Sequence, residues 1–111
     1  MTLDDLRAYG ADVDEGLGRC MGNEGIYLRL VGTLKDEAGF GRLSDAIAAG
    51  DLDTAFEAAH ALKGVLGNLS LTPLYEPMCE ITELLRARTQ TDYAPLLATI
   101  AERRDGLVSL L

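Results

Sequence analysis

Apolar residues recur at helical spacing in each long segment of the chain, and glycines, prolines and short polar runs separate the segments. Between Asn23 and about Lys35 the apolar positions are Ile26, Tyr27, Leu30, Val31 and Leu34, the stripe of an amphipathic helix. Leu43, Ala46 and Ile47 continue a helical face to Gly50, with a kink or turn expected at Gly39 and Gly41. From Asp51 to Leu69 the stripe is Leu52, Ala55, Phe56, Ala59, Leu62, Leu66 and Leu69. The next helix carries Leu74, Met78, Ile81, Leu84 and Leu85, and the last runs from about Tyr93 with Leu96, Leu97, Ile100, Leu107, Leu110 and Leu111. Start signals support these divisions: Thr2 before an acidic turn, Asp51 or Asp53 before Ala55, Thr72 before Pro73, and Asp92 before a turn that accepts Pro95. Pro77 removes one backbone bond from a helix begun at Thr72, so that helix is expected to kink or restart there. The pattern predicts no strand. It predicts an all-α fold whose last four long segments suffice for a bundle, with the two segments flanking Leu71 paired as an antiparallel hairpin.

Composition agrees with helices, since nearly half of the residues are apolar, leucine and alanine dominate that set, and tryptophan is absent. A length of 111 residues predicts one domain spanning residues 1–111. The net charge of -8 repels nucleic-acid backbones and anionic membrane surfaces, so neither is an expected partner. Met1-Thr2-Leu3-Asp4-Asp5 lacks the basic start of a signal peptide and no apolar run approaches a membrane span, so a cytoplasmic location is expected. Cys20 and Cys79 show no CxxC or Cys/His ligand spacing and are expected to be buried, reduced thiols.

His60 is the only histidine and lies in the middle of the most apolar helix. On a helical wheel it falls roughly 130° from the centre of the apolar stripe, so the imidazole should face solvent. Gly64 and Gly67 fall within about 40° of it, one and two turns towards the C-terminus. Each mid-helix glycine costs about 1 kcal/mol relative to alanine. Two on one exposed strip suggest that something requires clearance beside the ring, the alternative being close approach of two helices within the protein. Lys63, at i+3, can reach the space above the ring and pair with phosphoryl oxygens there, or can simply be a solvated lysine. In the hairpin, Thr82 comes level with His60 and Arg86 lies one turn beyond. Either is a possible secondary support for the ring or a phosphate, or ordinary surface.

The run His60-Ala61-Leu62-Lys63-Gly64-Val65-Leu66-Gly67-Asn68-Leu69 resembles the HxLKGxxxxx motif of histidine-containing phosphotransfer domains. Ala55-Phe56-Glu57-Ala58-Ala59 suits the approach to that motif, and Arg19 to Leu28 is similar to the family's lead into its second helix. The resemblance implies an antiparallel four-helix bundle with a short additional N-terminal helix or helices. It implies that His60 is the phosphoacceptor, that Lys63 supports the phosphate, and that Gly64 and Gly67 clear the surface for a docking receiver. Family members often carry glycine where this chain has Ser70. The implied partners are a response-regulator receiver domain, a hybrid histidine kinase, or both, with Mg²⁺ held by the receiver, no cofactor in this chain, and a monomeric state.

The implied chemistry is in-line attack by the outer nitrogen of neutral His60 on an aspartyl phosphate, in a carrier without a nucleotide-binding loop or catalytic machinery of its own. The competing reading is a helical adaptor that binds and inhibits a receiver or kinase without carrying phosphate. A metal or hydrolytic enzyme is disfavoured, because one histidine without a matched His/Glu pattern builds no such site.

Overall fold

The computed structural model describes residues 1–111, and every regular element is helical. The α-helices are α1 (Leu3–Tyr9), α2 (Val13–Arg19), α3 (Glu24–Gly32), α4 (Gly39–Ala48), α5 (Leu52–Asn68), α6 (Thr72–Arg86) and α7 (Ala94–Val108), with a 3-10 helix over Thr33–Asp36 after α3. No helix is long and apolar enough to cross a membrane.

Side-chain caps fix most of the starts. Thr2 and Asp5 form a reciprocal capping box on α1, at 2.9 and 3.1 Å. Asn23 accepts the Ile26 amide at 3.0 Å, and Asp51, rather than Asp53, accepts the Thr54 amide at 3.1 Å to open α5. Hydrogen bonds from Thr54 hold the Asp51 carboxyl below its ordinary pKa. At α6 the expected cap is displaced by one residue: Leu71 occupies the cap position and Thr72 is the first helical residue. The Asp92 carboxylate accepts the Ala94 amide at 3.0 Å where α7 begins.

The break expected near Gly39 and Gly41 falls at Glu37 and Ala38, so both glycines lie inside α4. Gly39 sits where a methyl group would come within 3.0 Å of Leu62, so the start of α4 lies close against α5. The restart expected at Pro77 does not occur, and α6 runs through it. Proline cannot donate to the carbonyl four residues back, which is that of Pro73. Arg103 on α7 donates to that carbonyl at 2.8 Å instead, while the Tyr9 hydroxyl donates to the Arg103 carbonyl at 2.6 Å. A bond lost within one helix is thus replaced by one between helices. Burial pushes the Tyr9 hydroxyl up to about 12, against the opposing pull of Arg103.

α5 packs between α4 and α6, and α6 packs on α7. Leu43, Leu62, Leu66, Leu74, Met78, Ile81, Leu85 and Leu107 are essentially inaccessible to water and join one core cluster, to which α1 adds Leu6 and α3 adds Tyr27 and Val31. Burying each such leucine is worth about 2 kcal/mol. The Tyr27 hydroxyl donates to the Leu69 carbonyl at 2.8 Å, anchoring α3 on the end of α5. Cys20 and Cys79 are free, and half-buried rather than buried.

After α5 the chain turns through Ser70, whose φ of 54° is left-handed. The Ser70 amide donates to the Gly67 carbonyl and the Leu71 amide to the Leu66 carbonyl, both at 3.1 Å, the paired bonds of a Schellman motif. Glycine takes this conformation more cheaply than serine. Ser70 offsets the cost with its side chain, donating to the Glu15 carboxylate at 3.0 Å, while its carbonyl accepts the Asp12 amide at 2.9 Å.

Candidate functional site

α5 buries Ala55, Ala58, Ala59, Leu62 and Leu66. The small alanines let neighbouring helices lie close, and the same periodicity turns His60, Ala61, Gly64 and Val65 outward. The imidazole is exposed, as its angular position requires.

One turn before it, the half-buried Phe56 ring stacks on the imidazole, with ring centroids 5.6 Å apart and planes inclined by 25°. The Arg86 guanidinium of α6 lies 4.9 Å from the centroid of the same Phe56 ring and pairs with Glu83 at 3.2 Å. Arg86 therefore does approach the neighbourhood of His60, by way of an aromatic ring. The hydrophobic stripe includes Phe56 without revealing this second contact, for which the i, i+4 spacing of Phe56 and His60 is the sequence signal.

Thr82 does not join the site. It is fully buried and its hydroxyl donates to the Met78 carbonyl at 2.6 Å, so it is not available to a phosphate arriving from solvent. Its side chain is directed into the core rather than towards the exposed face that carries His60.

The two glycines also differ. A methyl group at Gly64 would meet nothing within 4 Å, so the surface there is open. At Gly67 it would lie 3.0 Å from the Tyr75 ring, so that vacancy seats an α6 side chain. Open surface is therefore a property of Gly64, while Gly67 serves close approach within the protein. Beyond them an open groove of about 530 Å³ is lined by Lys63, Gly64, Gly67 and Asn68, with Arg19 of α2 and Tyr75 of α6 among the other residues.

Charge is arranged unevenly around the ring. Arg42 engages Glu57, the acid one turn before His60, at 3.2 Å. Arg19 is held by Glu15 at 3.1 Å, and Arg86 by Glu83. Lys63, half-buried one turn after His60, takes part in no ion pair. The acidic protein thus leaves the lysine one turn after its single imidazole without an ion pair.

The family model for the Hpt domain matches residues 29–109. The chain belongs to the Hpt domain family. Hpt domains are phosphotransfer carriers of phosphorelays rather than conventional enzymes, and they interact with receiver domains and histidine kinases. No curated protein and no solved structure gives a match to the chain. Within this Hpt domain the matched stretch starts inside α3 and takes in α4 to α7, including His60, Lys63, Gly64, Phe56 and Arg86. α1 and α2 precede it.

Proposed function

We propose that this protein accepts a phosphoryl group on His60 and exchanges it with the aspartate of a response-regulator receiver domain, as a cytoplasmic component of a two-component phosphorelay. The observation that carries this reading is an exposed imidazole with an unpaired Lys63 one turn on and open space at Gly64. In this reading α4 to α7 act as an antiparallel four-helix bundle, supported by the packing of α5 on α4 and α6 and of α6 on α7. α1 and α2 are its N-terminal additions, and residues 1–111 work as one monomeric domain.

The step balances without help from another group in this chain. The lone pair of the outer, unprotonated ring nitrogen forms the N–P bond as the aspartyl O–P bond breaks, and that bonding pair leaves on the carboxylate. The other ring nitrogen then releases its proton to water. Such transfers depend on in-line positioning and charge neutralisation, and the Mg²⁺ that assists would be the receiver's own. Lys63 adds about 1 kcal/mol per unit of phosphoryl charge at 4 Å in water. That is enough to favour arrival and too little to prevent departure, as reversible exchange requires.

Incubation with a receiver domain phosphorylated on its aspartate, in the presence of Mg²⁺, is expected to label the protein with acid-labile phosphate. His60→Gln is expected to remove the label while leaving helicity unchanged. Labelling that persists in His60→Gln refutes the assignment, and receiver binding without any labelling of the wild type would identify an adaptor instead.

A further inference from the structure

The stack of Phe56 on His60, tied across to Arg86, is more than the phosphoacceptor role requires of a surface histidine. We infer that Phe56 is a positioning residue for phosphoryl transfer, holding the imidazole in its reactive orientation, and that Arg86 secures Phe56 from the neighbouring helix. This rests on the reading of His60 as the acceptor.

Side chains on a helix lean towards its N-terminus, so the His60 ring is carried back over the residue four positions earlier. That residue offers a flat apolar face at 5.6 Å, inside the range of favourable offset stacking. Arg86 lies 4.9 Å from the Phe56 ring centroid, within cation–π range, and its guanidinium is held by Glu83 on the same helix. Support lies on the N-terminal side of the imidazole, whereas open space at Gly64 lies one turn towards the C-terminus. The ring is braced from one side and reached from the other.

An unbraced surface histidine on a helix divides its time between two χ1 wells and two broad χ2 orientations, exchanging in picoseconds to nanoseconds. Only one of these about four arrangements aligns a given nitrogen for in-line attack, so complete bracing raises the maximal transfer rate by up to about fourfold. The receiver's affinity is unaffected by this effect.

The test compares wild type with Phe56→Leu, Phe56→Tyr and Arg86→Met. Single-turnover phosphorylation is measured with a phosphorylated receiver and, separately, with phosphoramidate, a small donor that needs no docking surface. NMR relaxation of the His60 side chain reports its order. Phe56→Leu is expected to lower the maximal rate by up to about fourfold with both donors, at unchanged half-saturating receiver concentration, and to loosen the imidazole. Phe56→Tyr should retain rate and order, and Arg86→Met, an exposed change, should shift both in the direction of Phe56→Leu by less. Unchanged rate and order in Phe56→Leu overturn the inference. So does a loss confined to the receiver reaction, which would make Phe56 a docking contact. Should Phe56→Leu fail to fold, unchanged order and rate in Arg86→Met overturn it. If the wild type takes phosphate from no receiver, the relay reading fails, while the phosphoramidate and NMR measurements still decide whether the stack orients the ring.

Discussion

Alanine at Gly64 and alanine at Gly67 are expected to have different effects on stability, although both residues lie on one strip of α5. In a helix interior, alanine is favoured over glycine by about 1 kcal/mol. At Gly64 the added methyl group meets nothing within 4 Å, so the gain is kept, and for a chain of this size it corresponds to a rise of about 4 °C in Tm. At Gly67 the methyl group would lie 3.0 Å from Tyr75 Cε2 and 3.5 Å from Cδ2, against an optimum of about 3.5–4.0 Å for carbon pairs. The tyrosine ring must retreat by roughly half an ångström, at a cost of about 1 kcal/mol that cancels the propensity gain. Thermal and urea unfolding followed by circular dichroism should therefore show stabilisation for Gly64→Ala and none for Gly67→Ala. In a Tyr75→Ala background, Gly67→Ala, next to the last residue of α5, should recover part of that gain, up to about 1 kcal/mol. Gly64→Ala should also slow phosphoryl transfer from a receiver, because its methyl group occupies the approach to His60. Equal stabilisation at the two sites, or no recovery without Tyr75, would refute the assignment of one vacancy to the exterior and the other to Tyr75.

Removing the Arg103 guanidinium with Arg103→Met should cost up to about 1 kcal/mol in urea unfolding by leaving the exposed Pro73 carbonyl to water alone. The cost should largely vanish in a Pro77→Ala background, where residue 77 regains an amide to donate; additive effects would show that the interhelical bond does not replace the missing one. Tyr9 has a folded-state pKa raised to about 12, so its contribution to stability is intact below the ordinary tyrosine value near 10 and is lost as pH rises towards 12. Tyr9→Phe should make the alkaline fall in stability shallower over that interval without abolishing it, since burial also raises Tyr27 and Tyr93. An unchanged alkaline limb would contradict the shift.

Most of the helical framework can be read from the chain, because the apolar stripes and the capping side chains of Thr2, Asn23 and Asp51 act within a turn or two of sequence. The outward direction of His60 follows from the same periodicity. What is harder to read depends on a second helix. Gly67 lies on the His60 strip by angle, but the tight turn at Ser70 brings α6 alongside and lays Tyr75 over it. Pro77 does remove a backbone bond, as local chemistry demands, yet α6 continues through it, and the carbonyl left over is met by Arg103 on α7. Thr82 is a different case. Its level in the hairpin suggests contact with His60, whereas its spacing from Met78 and Leu85 already sets it on the buried stripe of α6. Phe56 sits on the angular border between core and exposed face, so a single average direction for the helix hides its contact with both.

The recognisable family sequence starts at residue 29, but the folded unit draws on what comes earlier. Leu6 and Val13 are sealed from water, and the Asp12 amide answers the Ser70 carbonyl at the corner after α5. A fragment trimmed to the family border would present a greasy flank to solvent and leave that corner with a dangling acceptor. Anyone transplanting this Hpt module into another host chain would have to carry residues 1–28 along with it.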